Sequence, residues 1–175
     1  MTDSRPGQRP HSLAHCPDPA TGSRLAAAQP ARRAALARLL AEFPGAAAWI
    51  SFSCRDGLHN SQGELLADCV AALDGYAQVV AVGVNCTAPE YIDSLVEQAQ
   101  AHTAKPVLVY PNSGEQYDAT HKQWHGNPSA SHFAEQARGW HARGARLIGG
   151  CCRTSPDDIA AVNRWATALL ASEAR

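Results

Sequence analysis

Two short stretches of this chain hold residues able to do metal or nucleophile chemistry. Gly83-Val84-Asn85-Cys86 closes one apolar run, and Gly149-Gly150-Cys151-Cys152 closes another. Deprotonated thiols are nucleophiles and soft metal ligands. Three thiolates at one end of a sheet suit a catalytic zinc ion, which accepts thiolates in tetrahedral geometry and keeps a fourth position open. Gly149 and Gly150 let the backbone turn tightly or approach a ligand closely. Blander uses stand beside this one. A single Cys after a strand is commonly a small buried hydrophobe, and adjacent Cys151 and Cys152 could be two packed side chains or a vicinal disulfide. The recurrence of the motif at two strand ends is what favours metal. Cys54 also follows an apolar run and could compete, but it lacks flanking glycines; Cys16 and Cys69 carry no such context.

The elements that must position these residues can be read from apolar periodicity. Ala48 to Ser53, Val79 to Val84, Pro106 to Tyr110 and Arg146 to Ile148 are short, continuous apolar runs, as expected of strands covered on both faces. Helical patterns follow each of them. Ile92, Leu95, Val96 and Ala99 mark one helical face, with Thr87 and Glu90 as a capping-box signal at its start. Ser155 is a good N-cap before Pro156, and Ile159, Val162, Ala166 and Leu169 are expected to face inward. Leu36, Leu39, Leu40 and Phe43 recur at helical spacing before Pro44-Gly45. Strand and helix in regular alternation imply βα units and a parallel sheet. Ligands of such folds gather at the carboxyl ends of strands, which is where both cysteine motifs fall.

Composition bounds the rest. The chain has 175 residues and a formal net charge of -1, so no basic field argues for nucleic acid. No apolar run approaches membrane-spanning length, and no membrane role is expected. Residues 1–27, rich in Pro and Gly without apolar periodicity, read as a disordered leader, and 28–175 as one partial domain. Arg5, Arg9 and Arg24 stand there without an apolar stretch, which is not a secretory signal, and Asp3 and Asp18 argue against a transit peptide. Six cysteines without an export signal point to a reducing, cytoplasmic compartment.

The motifs resemble those of the homocysteine S-methyltransferases. Gly83-Val84-Asn85-Cys86 and Gly149-Gly150-Cys151-Cys152-Arg153-Thr154 look like the zinc motifs of that family. Tyr110-Pro111-Asn112-Ser113-Gly114-Glu115 between them also matches, as do Ser51-Phe52-Ser53, Arg55-Asp56 and Trp124. The match is to the bacterial and plant branch that uses S-methylmethionine or S-adenosylmethionine. The resemblance implies an α/β fold of the (β/α)8 TIM-barrel type, of which four βα units are present. It implies zinc held by Cys86, Cys151 and Cys152, with the thiol of homocysteine in the fourth position. The thiolate would attack the methyl carbon of a sulfonium donor and give methionine.

Other residues carry weaker signals. Asn85, as a neighbour of Cys86, and Asn112 and Glu115, in the loop after the third strand, are candidates for substrate contact; each also reads as an ordinary turn or loop residue. Asp56 has a similar, weaker claim. His121, His125 and His132 fall in a polar loop without metal-ligand spacing, and Trp49, Trp140 and Trp165 read as packing residues. The family's early segments, including an Asp-Gly motif on its first strand and an acid at the end of its fourth, have no counterpart here. Where that fourth strand should end, the chain reads Gly22-Ser23-Arg24-Leu25-Ala26. The expectation is the C-terminal half of the enzyme behind an unrelated leader. Such a chain would pair with itself as a homo-oligomer or with a complementary N-terminal half. The alternative is a non-catalytic zinc-binding remnant.

Overall fold

A computed structural model of the chain describes residues 39–43, 45–118, 120–126 and 130–173. The expected leader, Cys16 and Leu36 lie outside these residues. The elements, in order, are β1 (Ala48–Phe52), α1 (Leu66–Ala71), β2 (Val79–Asn85), α2 (Pro89–His102), β3 (Val107–Tyr110), β4 (Gln116–Asp118), β5 (Gln123–His125), α3 (Ala130–Ala142), β6 (Ala145–Ile148) and α4 (Pro156–Glu173). β1, β2, β3 and β6 form one parallel sheet in that order, so β2 and β6 flank β3. The four expected strands and their alternation with helices are all present, as half of a barrel would require. Among the described residues no helix is long and apolar enough to cross a membrane.

The sheet has two unlike faces, because successive strand residues point to opposite sides. Phe52, Val79, Val82, Val84, Val107, Val109 and Ala145 join the core shared with the helices. Ile92, Leu95, Val96 and Ala99 of α2 reach it as their spacing predicts. By register, Ser51, Gly83, Leu108 and Leu147 form a row on the other face. That face is partly open at its margins: Trp49 on β1 is 63% exposed and Leu147 on β6 is 51% exposed.

Five expectations are corrected. Thr87 does not cap α2. Ala88 takes the N-cap position with no side-chain cap, Pro89 follows, and the Thr87 hydroxyl is used elsewhere. In α4 Val162 is buried and Ala166 and Leu169 are half-buried as expected, but Ile159 is exposed; at the first turn Asp158 is buried instead, where it closes a reciprocal cap with Ser155. Trp49 is exposed, whereas Trp140 is buried edge-on to Phe133 and Trp165 packs against the core. The polar loop holding His121 and His125 contains the antiparallel hairpin β4–β5, whose three pairs sit apart from the main sheet. Leu40 reaches the core as expected, but Leu39 and Phe43 remain exposed.

Candidate metal centre

The site is built around an extension of β3. Beyond the last ladder pair, Asn85 with Tyr110, successive residues of this strand bond alternately to the two cysteine turns. The Tyr110 carbonyl accepts from the Cys86 N–H at 3.1 Å, and the Pro111 carbonyl accepts from the Cys151 N–H at 2.8 Å. The Asn112 N–H donates to the Thr87 carbonyl at 3.1 Å, and the Ser113 N–H donates to the Cys152 carbonyl at 3.0 Å. Residues 110–113 therefore lock the turn after β2 and the turn after β6 into one frame. Pro111 fits this frame because only its carbonyl is needed.

Local chemistry explains each turn. Cys86 has φ +46°, a left-handed conformation that a non-glycine residue holds only when its neighbours enforce it. Thr87 supplies much of that enforcement. Its side chain is buried, its hydroxyl accepts from the Cys54 N–H and donates to the Asn85 carbonyl, both at 2.9 Å. It thus ties the loops after β1, β2 and β3 together. At the other turn, a Cβ on Gly150 would overlap the Thr154 side chain, which folds back to donate to the Cys151 carbonyl at 2.8 Å.

The outcome is three half-buried thiols, Cys86, Cys151 and Cys152, whose sulfurs all lie within 4.8 Å of one another. Cys152 Sγ is 3.7 Å from Cys86 Sγ and 3.9 Å from Cys151 Sγ. Three thiolates about 2.3 Å from a tetrahedral metal are about 3.8 Å apart, so two edges of the triangle already have metal-site length. The third edge is closed: Cys86 and Cys151 are joined as a disulfide, with Cα atoms 5.5 Å apart. A vicinal Cys151–Cys152 disulfide is not formed. Ligation by all three sulfurs requires the Cys86–Cys151 bond to be reduced, because the metal takes thiolates. Subject to that, the donor set and its spacing fit a soft, tetrahedral metal such as zinc.

The other candidate residues fall into place around this centre. Cys54 and Cys69 are buried away from the three-sulfur group, and burial pushes the Cys54 thiol up to about 12, leaving it an inert core residue. Asn85 lies beside Cys86 and offers its carbonyl to Thr87. Asn112 turns its side-chain oxygen back to the Gly114 N–H. Glu115 is gripped by Arg153, whose guanidinium donates from Nε at 2.6 Å and from a terminal nitrogen at 3.1 Å. That cation holds the Glu115 carboxyl below its ordinary value. Asp56 accepts the N–H groups of Leu58 and His59, which lower its carboxyl to about 2 and make it a turn residue. His121 and His125 share Asp118 on the exposed hairpin and do not approach the cysteines.

Periodicity misses Thr87, Arg153 and the Ser51–Tyr110 pair. A faint signal for Arg153 exists, since Arg153 and Glu115 are opposite charges in the loops that leave two adjacent strands.

Comparison with known proteins agrees with this geometry. The family model described as homocysteine S-methyltransferase matches residues 25–166. The chain is 53% identical over 135 residues to the homocysteine S-methyltransferase YbgG of Bacillus subtilis, covering 77% of this chain and 43% of that one. It is 51% identical over 129 residues to the homocysteine S-methyltransferase of Escherichia coli, covering 73% and 42%. The fold matches the oxidized form of the Escherichia coli homocysteine methyltransferase MmuM with a TM-score of 0.63 and 45% identity, over 75% of this chain and 40% of that one. It matches the metallated form with a TM-score of 0.62 and 45% identity, over 75% and 40%. The chain thus spans less than half the length of these relatives. Within that span the strand-end cysteines, the parallel sheet and the family match coincide: the chain belongs to the homocysteine S-methyltransferase family.

Proposed function

We propose that this chain contributes the zinc-binding half of a homocysteine S-methyltransferase, moving a methyl group from S-methylmethionine or S-adenosylmethionine to homocysteine to give methionine. The observation that carries the proposal is the triangle of Cys86, Cys151 and Cys152, set by one strand extension at the carboxyl end of the sheet. When bound, zinc would take the homocysteine sulfur in its open position and favour the thiolate at neutral pH.

The residues of the chain hold and aim. The three cysteines supply the thiolate ligands, and the frame at residues 110–113 fixes the spacing between them. The homocysteine thiol would give up its proton to solvent. Its sulfur then attacks the methyl carbon of the donor: a new S–CH3 bond forms and the old one breaks. The electron pair of the broken bond stays on the donor sulfur, which loses its positive charge. A sulfonium is already a good leaving group, so alignment of the two sulfurs is the main demand on the protein. The carboxyl end of the sheet, where a TIM-type barrel reacts its substrates, is the place for that alignment. Asn85 is the candidate for contact with the bound amino acid, because it ends β2 immediately before Cys86.

A second reading is favoured by the coverage, which is 43% and 42% of the two relatives. In that reading the chain binds zinc but turns over only with a complementary N-terminal half, or not at all. Methionine formation by the reduced, zinc-loaded full chain decides between them, assayed with each donor, alone and with such a half. Turnover that appears or rises on pairing supports the shared active site. Zinc content is measured in the same preparations, with about one ion per chain expected. Full zinc retention in both Cys151→Ala and Cys152→Ala would overturn the site altogether.

A further inference from the structure

Cys86 and Cys151 are each fixed by a main-chain bond that continues a strand ladder, to Tyr110 and Pro111 respectively. Cys152 sits one residue farther out, in a turn that ends with Arg153 in the left-handed region at φ +65°. The Thr154 N–H and hydroxyl both donate to the Cys151 carbonyl across this turn, and a further ring of contacts braces it from outside. The Cys152 carbonyl accepts from the Ser113 N–H at 3.0 Å. The Ser113 hydroxyl donates to Glu115 Oε2 at 3.1 Å. Glu115 takes both prongs of the Arg153 fork, at 2.6 and 3.1 Å, and Arg153 is bonded in sequence to Cys152. The Glu115 side chain is only 12% exposed, so its two oxygens are spent inside the ring rather than held out to a ligand.

We propose that Glu115 and Arg153 are a positioning pair that sets the Cys152 sulfur at ligating distance from its two partners. The inference rests on reading the three cysteines as a zinc site, and it assigns Glu115 to the support of that site instead of to contact with a cationic substrate. A two-pronged guanidinium–carboxylate contact fixes direction as well as distance, which a lysine cannot do. Without it the turn at 151–154 gains freedom, and the Cys152 sulfur, one residue beyond the ladder bond that holds Cys151, is the first to drift. Groups that hold metal ligands from behind commonly change metal affinity by about 10- to 100-fold.

The test uses the full chain, reduced, with zinc and with cobalt(II) as a spectroscopic substitute. Zinc affinity is read by competition against a chromophoric chelator, and the thiolate–cobalt absorption reports the ligand set. Glu115→Gln and Arg153→Gln should each weaken zinc binding by about 10- to 100-fold and diminish the cobalt bands. Arg153→Lys, which keeps the charge but loses the fork, should also weaken binding. The reversed pair, Glu115→Arg with Arg153→Glu, should recover part of the loss. The melting temperature of each reduced variant before metal addition checks folding, and if Arg153→Gln does not fold, Glu115→Gln and Arg153→Lys decide. Wild-type affinity and cobalt bands in both of those variants would overturn the proposal, as would a Glu115→Gln chain that keeps its zinc affinity but loses homocysteine or donor binding. A wild-type chain that binds neither ion would instead bring down the zinc-site reading on which the proposal stands.

Discussion

The hydroxyls of Ser51 on β1 and Tyr110 on β3 are hydrogen-bonded to each other across the width of β2. Ser51 is in register with Gly83 on β2, and Tyr110 lies two residues beyond Leu108, the β3 partner of Gly83. A Cβ at Gly83 would also collide with the Leu108 carbonyl. Tyr110 is the residue whose carbonyl holds Cys86, so the contact braces the cysteine frame from the opposite edge of the sheet.

Gly83→Ala is therefore expected to destabilise the chain by about 1–3 kcal/mol, the usual cost of forcing extra volume into a packed interior. Ser51→Ala removes one hydrogen bond without adding volume and should cost about 1 kcal/mol. Denaturant midpoints of the two variants, compared under reducing conditions, check the order. Equal costs would show that Gly83 is not sterically required.

Metal uptake should depend on reductant. Cys86 and Cys151 are paired as a disulfide, and ligation needs both as thiolates. Chain kept oxidised should take up little zinc and hold two fewer titratable thiols in denaturant than reduced chain. After reduction, zinc content should rise toward one per chain. Thiol titration alongside elemental analysis makes the comparison, and equal zinc content in the two states would contradict it.

The Glu115–Arg153 pair gives a pH signature. Its carboxyl is held below the ordinary value of 4.5 in the folded chain, chiefly by the hydrogen bonds from Arg153. A depressed carboxyl adds stability that is complete above that ordinary value and drains away as the pH falls through the folded one. Wild-type chain should therefore lose melting temperature more steeply than Glu115→Gln below about pH 4.5, and the two should run parallel near neutrality. Arg153 stays charged throughout, so the difference reports the carboxylate alone. Parallel curves down to low pH would show that the pair adds nothing to folding.

Among the described residues Trp140 is the largest fully buried side chain, and it packs edge-on against Phe133, with ring centroids 5.6 Å apart. Trp140→Ala should cost about 3–5 kcal/mol through the cavity it leaves. Trp140→Phe should cost less. Chemical denaturation measures both, and a cost below about 1 kcal/mol for the alanine variant would mean that the site collapses around the gap.

Much of this architecture is legible in the residue order, and the reason is physical. A strand covered on both faces must be a short apolar run, so Val79 to Val84 and Pro106 to Tyr110 declare themselves. Either cysteine motif alone has blander uses, but their recurrence at two strand ends makes Cys86 and the Cys151-Cys152 pair stand out. What escapes is whatever depends on contacts between distant segments. Thr87 looks like a helix cap because its spacing to Glu90 is right, yet burial diverts its hydroxyl to Cys54 and Asn85. Glu115 looks like a loop acid free to meet a substrate, and only the fold brings Arg153 onto it. Ile159 fits the helical stripe of Val162, Ala166 and Leu169, yet at the first turn Asp158 is buried instead, closing its cap with Ser155. The β4–β5 hairpin is three residues on each side, too short for its alternation to show.

The strand order carries one more implication, about divisibility. All three candidate ligands leave β2 and β6, and β3 lies between those two strands. A break in the barrel on the far side of β1, or of β6, passes between no two of the sulfurs. The three-cysteine cluster is thus inherited whole by one segment of the polypeptide. Two separately made pieces of such an enzyme would have to dock strands and align substrates, but neither would need to lend the other a ligand. That makes this fold a natural candidate for split-protein reconstitution, with metal loading completed on one piece before the two are brought together.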